Sequence, residues 1–87
     1  MIKNKNILIT GAATRVGKAI ALHFAERGWN IGLHYYRSYS KAKKLKKMIE
    51  KKWVKVTLVK ANLNDSKQVE KIIPFIKKKL GTIDCLV

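Results

Sequence analysis

Two stretches of the chain carry residues whose types and spacing could do chemistry. The first is Thr10-Gly11-Ala12-Ala13-Thr14-Arg15-Val16-Gly17, a run of small residues with two hydroxyls and one guanidinium. It lies between an apolar run and a helix-like stretch. There, backbone N–H groups and the positive end of a helix can hold a dinucleotide's pyrophosphate. Gly11 permits a sharp turn, Ala12 and Ala13 let phosphates approach the backbone, and Gly17 lets the helix pack closely on the sheet. A glycine turn that holds no ligand would have the same composition. The second stretch is Tyr36-Arg37-Ser38, at the end of another apolar run. A site for an unphosphorylated ribose needs Asp or Glu there to bind the 2′-hydroxyl. No acid occurs from Trp29 to Ile49. Arg37, Ser38 and, from the turn, Arg15 supply two guanidiniums and a hydroxyl instead. That set suits a doubly charged 2′-phosphate, which guanidinium binds in forked geometry. A solvated loop charge is the alternative for Arg37.

The elements that must position these residues follow from periodicity. Asn6–Thr10 reads as a buried parallel strand. Val16, Ala19, Ile20, His23 and Phe24 recur at helical spacing over about Arg15–Arg27, with Gly28 as the left-handed stop. Asn30–Tyr35 is a second strand. Ser38 or Ser40 can cap a second helix whose apolar stripe is Ala42, Leu45, Met48, Ile49 and Trp53. Val54–Val59 is a third strand. Asp65 and Gln68 resemble a capping box opening a third helix, with Val69, Ile72, Ile73, Ile76 and Leu80 inward and Gly81 at its end. Pro74 lies inside that pattern and should kink it. Ile83–Val87 begins a fourth strand. This alternation predicts an α/β Rossmann-type parallel sheet of order 3-2-1-4 with helices on both faces.

Composition narrows the classes. The 87 residues give room for a single domain, and 47% hydrophobic content argues for a folded one. No apolar run is long enough to span a membrane, and the N-terminus shows no signal-peptide pattern. The one cysteine, Cys85, reads as a buried small hydrophobe and fits a reducing cytoplasm. The net charge of +15 raises the alternative of a basic nucleic-acid or polyanion-binding module. Yet the lysines (Lys41, Lys43, Lys44, Lys46, Lys47, Lys51, Lys52, Lys77 to Lys79) sit on presumed outer helix faces, without interleaved aromatics on which bases would stack.

Together, these residues resemble one family. The pattern Thr10-Gly11-x-x-x-Arg15-x-Gly17 before a helix looks like the cofactor motif of short-chain dehydrogenases/reductases. Arginine stands where most members carry the middle glycine, as in pteridine reductases. Leu33-His34-Tyr35-Tyr36-Arg37-Ser38 resembles the pteridine reductases' Leu-His-Tyr-His-Arg-Ser. Ala61-Asn62-Leu63 resembles the family's adenine-contacting Ala-Asp-Leu, with Asn62 in the aspartate's place, and Gly81–Val87 is similar to its Gly-x-Ile-Asp-x-Leu-Val. The resemblance implies NADP(H) as cofactor. It would be bound by Thr10, Gly11, Ala13, Thr14, Arg15, Val16, Gly17, Tyr36, Arg37, Ser38, Asn62 and Leu63. His34 and His23 are read as packed residues, His23 on the apolar side of its helix.

The family's Tyr-x-x-x-Lys pair lies downstream of the fourth strand. Tyr39 and Lys43 fit its spacing, but any i, i+4 pair shares a helix face, and they follow the second strand, far from where a nicotinamide would lie. The expectation is therefore the N-terminal NADP(H)-binding part of a reductase domain over residues 1–87, without a catalytic residue and inactive alone. Such a chain is expected to self-associate through an exposed fourth strand. A ligand-free remnant that serves as an interaction domain is the further alternative.

Overall fold

Apolar strands and amphipathic helices alternate along the chain because each strand end meets a glycine-, serine- or asparagine-rich break. A computed structural model describes residues 4–87; Met1–Lys3, part of the stretch judged to lack a signal peptide, lie outside the described residues. The elements are β1 (Asn6–Ile9), α1 (Arg15–Glu26), β2 (Asn30–Tyr35), α2 (Tyr39–Glu50), β3 (Val56–Lys60), α3 (Ser66–Leu80) and β4 (Cys85–Leu86). The strands form one parallel sheet of order β3-β2-β1-β4, as the alternation predicted.

The pleat divides the apolar side chains between two faces. Ile7, Ile9, Ile31 and Leu33 pack with Ala21 and Ala25 of α1 and Leu45 and Ile49 of α2. Leu8 points the other way, to Ala61 and to Ile72 and Ile76 of α3. Each fully buried Ile or Leu contributes about 1.5–3 kcal/mol of transfer free energy.

A polar cluster closes the amino end of the sheet. Asn6 Nδ2 donates to the carbonyls of Leu80 (3.1 Å) and Thr82 (2.8 Å), and its Oδ1 accepts from Asn30 Nδ2 at 3.0 Å. The Asn6 N–H donates to Asp84 Oδ2 at 2.8 Å, and the Lys55 N–H to Asn30 Oδ1 at 3.0 Å. These bonds tie the turn after α3, the start of β1 and the entry to β3 together, so that two buried asparagines stay fully partnered.

Local rules were right about the starts and stops of α1 and α3 and wrong about the end of α2 and about some faces. Asp65 caps α3 by accepting from Lys67 N–H (3.0 Å), and Gly28 and Gly81 follow α1 and α3 with positive φ. The capping box differs from its expected form: Gln68 Oε1 accepts from Asn62 N–H at 2.8 Å instead of bonding the Asp65 N–H. The inward face of α1 is Gly17, Ala21 and Ala25, whereas Val16 is 68% exposed and Ala19 and His23 face solvent. Small residues let this helix lie close to the sheet while larger ones flank the contact. His23 instead meets Arg27, whose Nη1 lies 3.1 Å from His23 Nδ1. Trp53 is not part of the α2 stripe: it lies beyond the helix end at φ +64 and is 95% exposed, because the helix stops at Glu50 before the apolar spacing does. Met48, Val69 and Ile73 are exposed as well. Helix α3 runs through Pro74 from Ser66 to Leu80.

Candidate functional site

Because all strands are parallel, their carboxyl ends lie along one edge, and β1, β2 and β3 are each followed by a loop that begins at that edge. The loop after β1 is the small-residue turn. Gly11 takes φ +61, and a Cβ at Gly17 would sit 2.6 Å from the Gly11 carbonyl oxygen and 2.7 Å from Ala12 Cα. Gly17 thus lets α1 close onto the turn itself, a tighter requirement than packing on the sheet. Thr14 caps α1: its Oγ1 accepts from Gly17 N–H at 3.1 Å and donates to the Gly11 carbonyl at 2.8 Å.

The turn's N–H groups divide into two sets. Gly11 N–H donates to His34 Nδ1 (3.0 Å), Ala12 N–H to the His34 carbonyl (2.9 Å) and Thr14 N–H to the Gly11 carbonyl (3.1 Å). Those of Ala13, Arg15 and Val16 have no partner among the described residues. The last two belong to the first turn of α1, where the helix dipole is positive. Thr10 turns away from this group: its N–H and hydroxyl both donate to the Val87 carbonyl at 2.8 Å.

The loop after β2 carries Tyr36, Arg37 and Ser38, all exposed. The Arg37 guanidinium lies over the Tyr36 ring, 5.2 Å from its centroid. Ser38 occupies the N-cap of α2 without a side-chain capping bond, which leaves its hydroxyl free for another acceptor. The loop after β3 starts at Ala61. There Asn62 Oδ1 accepts from Asn64 N–H at 3.0 Å, so its carboxamide oxygen is partly engaged in its own turn. Leu63 is exposed beside it.

The structure therefore places the predicted residues on three adjacent loops and the first turn of α1, at one sheet edge. It also brings in residues that sequence reasoning missed. Lys18, Lys41 and Lys44 border a depression floored by Ala12, Ala13 and Leu45. Tyr35, Tyr39 and Lys60 share a second depression with Tyr36 and Arg37. The Tyr35–Lys60 register pair is a consequence of parallel pairing that no local spacing shows. Lys43 Nζ lies 6.0 Å from the centroid of the Tyr39 ring, a stacking relation within α2. Among the described residues no group of three His, Cys, Asp or Glu side chains could hold a metal ion, and no helix is long and apolar enough to cross a membrane.

A parallel 3-2-1-4 sheet with a glycine turn closing onto the first helix defines a Rossmann-type α/β protein. Residues 5–87 match the family model for short chain dehydrogenases. The 3-oxoacyl-[acyl-carrier-protein] reductase FabG of Staphylococcus epidermidis is 34% identical over 84 residues, covering 97% of this chain and 34% of that protein. The short-chain dehydrogenase/reductase homolog YusS of Bacillus subtilis is 34% identical over 86 residues, covering 99% of this chain and 79% of that one. FolM alternative dihydrofolate reductase 1 from Brucella canis, crystallised with NADP, superposes with a TM-score of 0.88 at 28% identity, over 95% of this chain and 33% of that one. The chain belongs to the short-chain dehydrogenase/reductase family. It spans about a third of the length of the FabG relatives it matches.

Proposed function

We propose that residues 1–87 form the NADP(H)-binding N-terminal part of a Rossmann-type reductase domain. One observation carries this reading. The unpartnered N–H groups of Arg15 and Val16 at the start of α1 share a sheet edge with Arg37 and Ser38, and no carboxylate stands at the end of β2. The residues fit such a ligand. The helix start would take the pyrophosphate, and Arg15, Arg37 and Ser38 the 2′-phosphate. Ala12 and Ala13 leave the backbone approachable, Tyr36 supports the Arg37 guanidinium, and Asn62 and Leu63 would border the adenine. The NADP bound in the FolM relative supports the same assignment.

The intact reductase is proposed to use NADPH on a carbonyl or pterin substrate. Arg15 and the Leu33–Ser38 segment favour the pteridine-reductase side, as does the likeness to FolM. No catalytic step is assigned to any residue of this chain. Titration with NADPH, NADH and a DNA duplex at two salt concentrations tests the reading. Tighter binding of NADPH than NADH supports it. Duplex binding with a steep salt slope would replace it with the polyanion reading.

Self-association through β4 belongs to the same proposal. Strand β4 pairs with β1 alone among the described residues, and Leu86 on it is 61% exposed. An unpaired strand edge beside exposed apolar side chains is a template for a second chain.

A further inference from the structure

We infer that His34 is the positioning residue that holds two walls of the nucleotide site in register, and that it does so only as the neutral imidazole protonated on Nε2. This rests on the cofactor reading above. The ring is 3% exposed and lies between two backbone groups whose hydrogen-bonding character is fixed. Nδ1 sits 3.0 Å from the Gly11 N–H, which can only donate, so Nδ1 accepts and carries no hydrogen. Nε2 sits 2.8 Å from the Ala61 carbonyl oxygen, which can only accept, so Nε2 carries the hydrogen. Backbone bonds flank the ring on both sides, from Ala12 N–H to the His34 carbonyl (2.9 Å) and from Ala61 N–H to the Tyr35 carbonyl (3.0 Å). One side chain thus spans from the residue that bends the phosphate turn to the residue that opens the Asn62–Leu63 loop.

A second proton would reverse one of these contacts. Imidazolium carries hydrogens on both nitrogens, so Nδ1–H would face the Gly11 N–H at a distance that now holds a hydrogen bond. The cation would also be buried without a counter-charge. The phosphate turn contributes no ionisable side chain before Arg15, which is exposed. Lys60 of β3 pairs in register with Tyr35 and so alternates to the opposite sheet face from His34. Helix α3 buries Ile72 and Ile76, and its Asp65 is engaged with the Lys67 and Gln68 N–H groups; Lys71 makes no hydrogen bond or ion pair with the ring. The tie between turn and loop therefore requires the neutral ring, and NADPH binding depends on it through the turn it holds.

Nitrogen-15 NMR of the whole chain tests the tie without any ligand, and the Nε2–H tautomer is expected. In His34→Phe, which keeps a ring but neither nitrogen, the Gly11 amide should lose protection relative to Ala12, whose acceptor is a backbone carbonyl. An Nδ1–H tautomer, or Gly11 and Ala12 protection changing in parallel, would overturn the inference. NADPH titrations form the second arm. His34→Asn retains an acceptor near the Nδ1 position, so it should bind NADPH about tenfold more tightly than His34→Phe, the size of one net hydrogen bond. Equal affinities for the two variants would also overturn it. Absence of NADPH binding by the wild-type chain would sink the cofactor reading instead, and the NMR arm would still decide whether His34 joins turn and loop.

Discussion

Asn6 and Asn30 join side chain to side chain at 3.0 Å across neighbouring strands, and each then reaches a different part of the backbone. Replacing Asn6 by Leu would leave the Leu80 and Thr82 carbonyls and the Asn30 amide without this partner. Each such group costs about 1–3 kcal/mol when buried unsatisfied. The expected loss is about 3 kcal/mol, a large fraction of the stability of a chain this size. Urea denaturation followed by circular dichroism measures it, and an unchanged midpoint would show that the cluster is not a fastening.

Trp53 offers the opposite case. A left-handed conformation costs an L-residue about 1–2 kcal/mol, and a side chain exposed to 95% recovers little by packing. Trp53→Gly is expected to stabilise the fold by about 0.5–1 kcal/mol, after allowance for glycine's greater freedom when unfolded. A lowered thermal midpoint would mean that the indole makes contacts in solution.

Gly17→Ala introduces a Cβ 2.6 Å from the Gly11 oxygen, with backbone on the far side of the contact. Helix α1 must withdraw from the turn, carrying the Arg15 and Val16 N–H groups with it. NADPH and NADH affinities are both expected to fall by at least about tenfold, since both ligands share the pyrophosphate. Calorimetry on the two ligands checks this, and loss confined to NADPH would contradict it.

Arg37→Asp acts on the other half of the ligand. It removes a guanidinium partner and adds like-charge repulsion, so NADPH should weaken about ten- to a hundredfold and NADH little. Equal loss for both would show that Arg37 does not read the 2′-phosphate.

Association through β4 should grow with salt. The net charge of +15 keeps chains apart when unscreened, and added salt leaves the apolar edge free to pair. Sedimentation velocity at low and high salt is expected to show a larger species at high salt. A monomer at both would remove self-association from the reading.

The sheet order, the turn and the cap residue Asp65 are legible in the sequence because each follows from contiguous residues or their order, whereas Thr14 reads only as part of the turn and not as the cap of α1. The inward face of α1 is not, because Gly17, Ala21 and Ala25 carry little hydrophobic signal beside Val16 and Ile20. Periodicity also runs past the end of α2 and captures Trp53, since spacing alone does not say where a helix stops. His34 reads correctly as a packed strand residue. Its two bonds depend on how the loop after β1 and the loop after β3 meet beside β2, a relation among three separated segments. The positions of Lys60 beside Tyr35 and of Lys41 and Lys44 beside Ala12 are hidden for the same reason.

The two faces of the sheet are unequally filled: among the described residues, nine buried ones form the cluster under α1 and α2, and four form the one under α3. Helix α3 also contains Pro74, which supplies no N–H to the helix ladder. The least costly excursion of the folded chain is therefore a partial one, in which α3 lifts while the α1–α2 side stays closed. That excursion would carry away the Asn62–Gln68 bond and loosen the Ala61 end of the His34 bridge. A ligand seated across all three loops would oppose it, so part of its binding energy would go into quietening α3, and the fluctuations it suppresses would lie on the adenine side of the molecule.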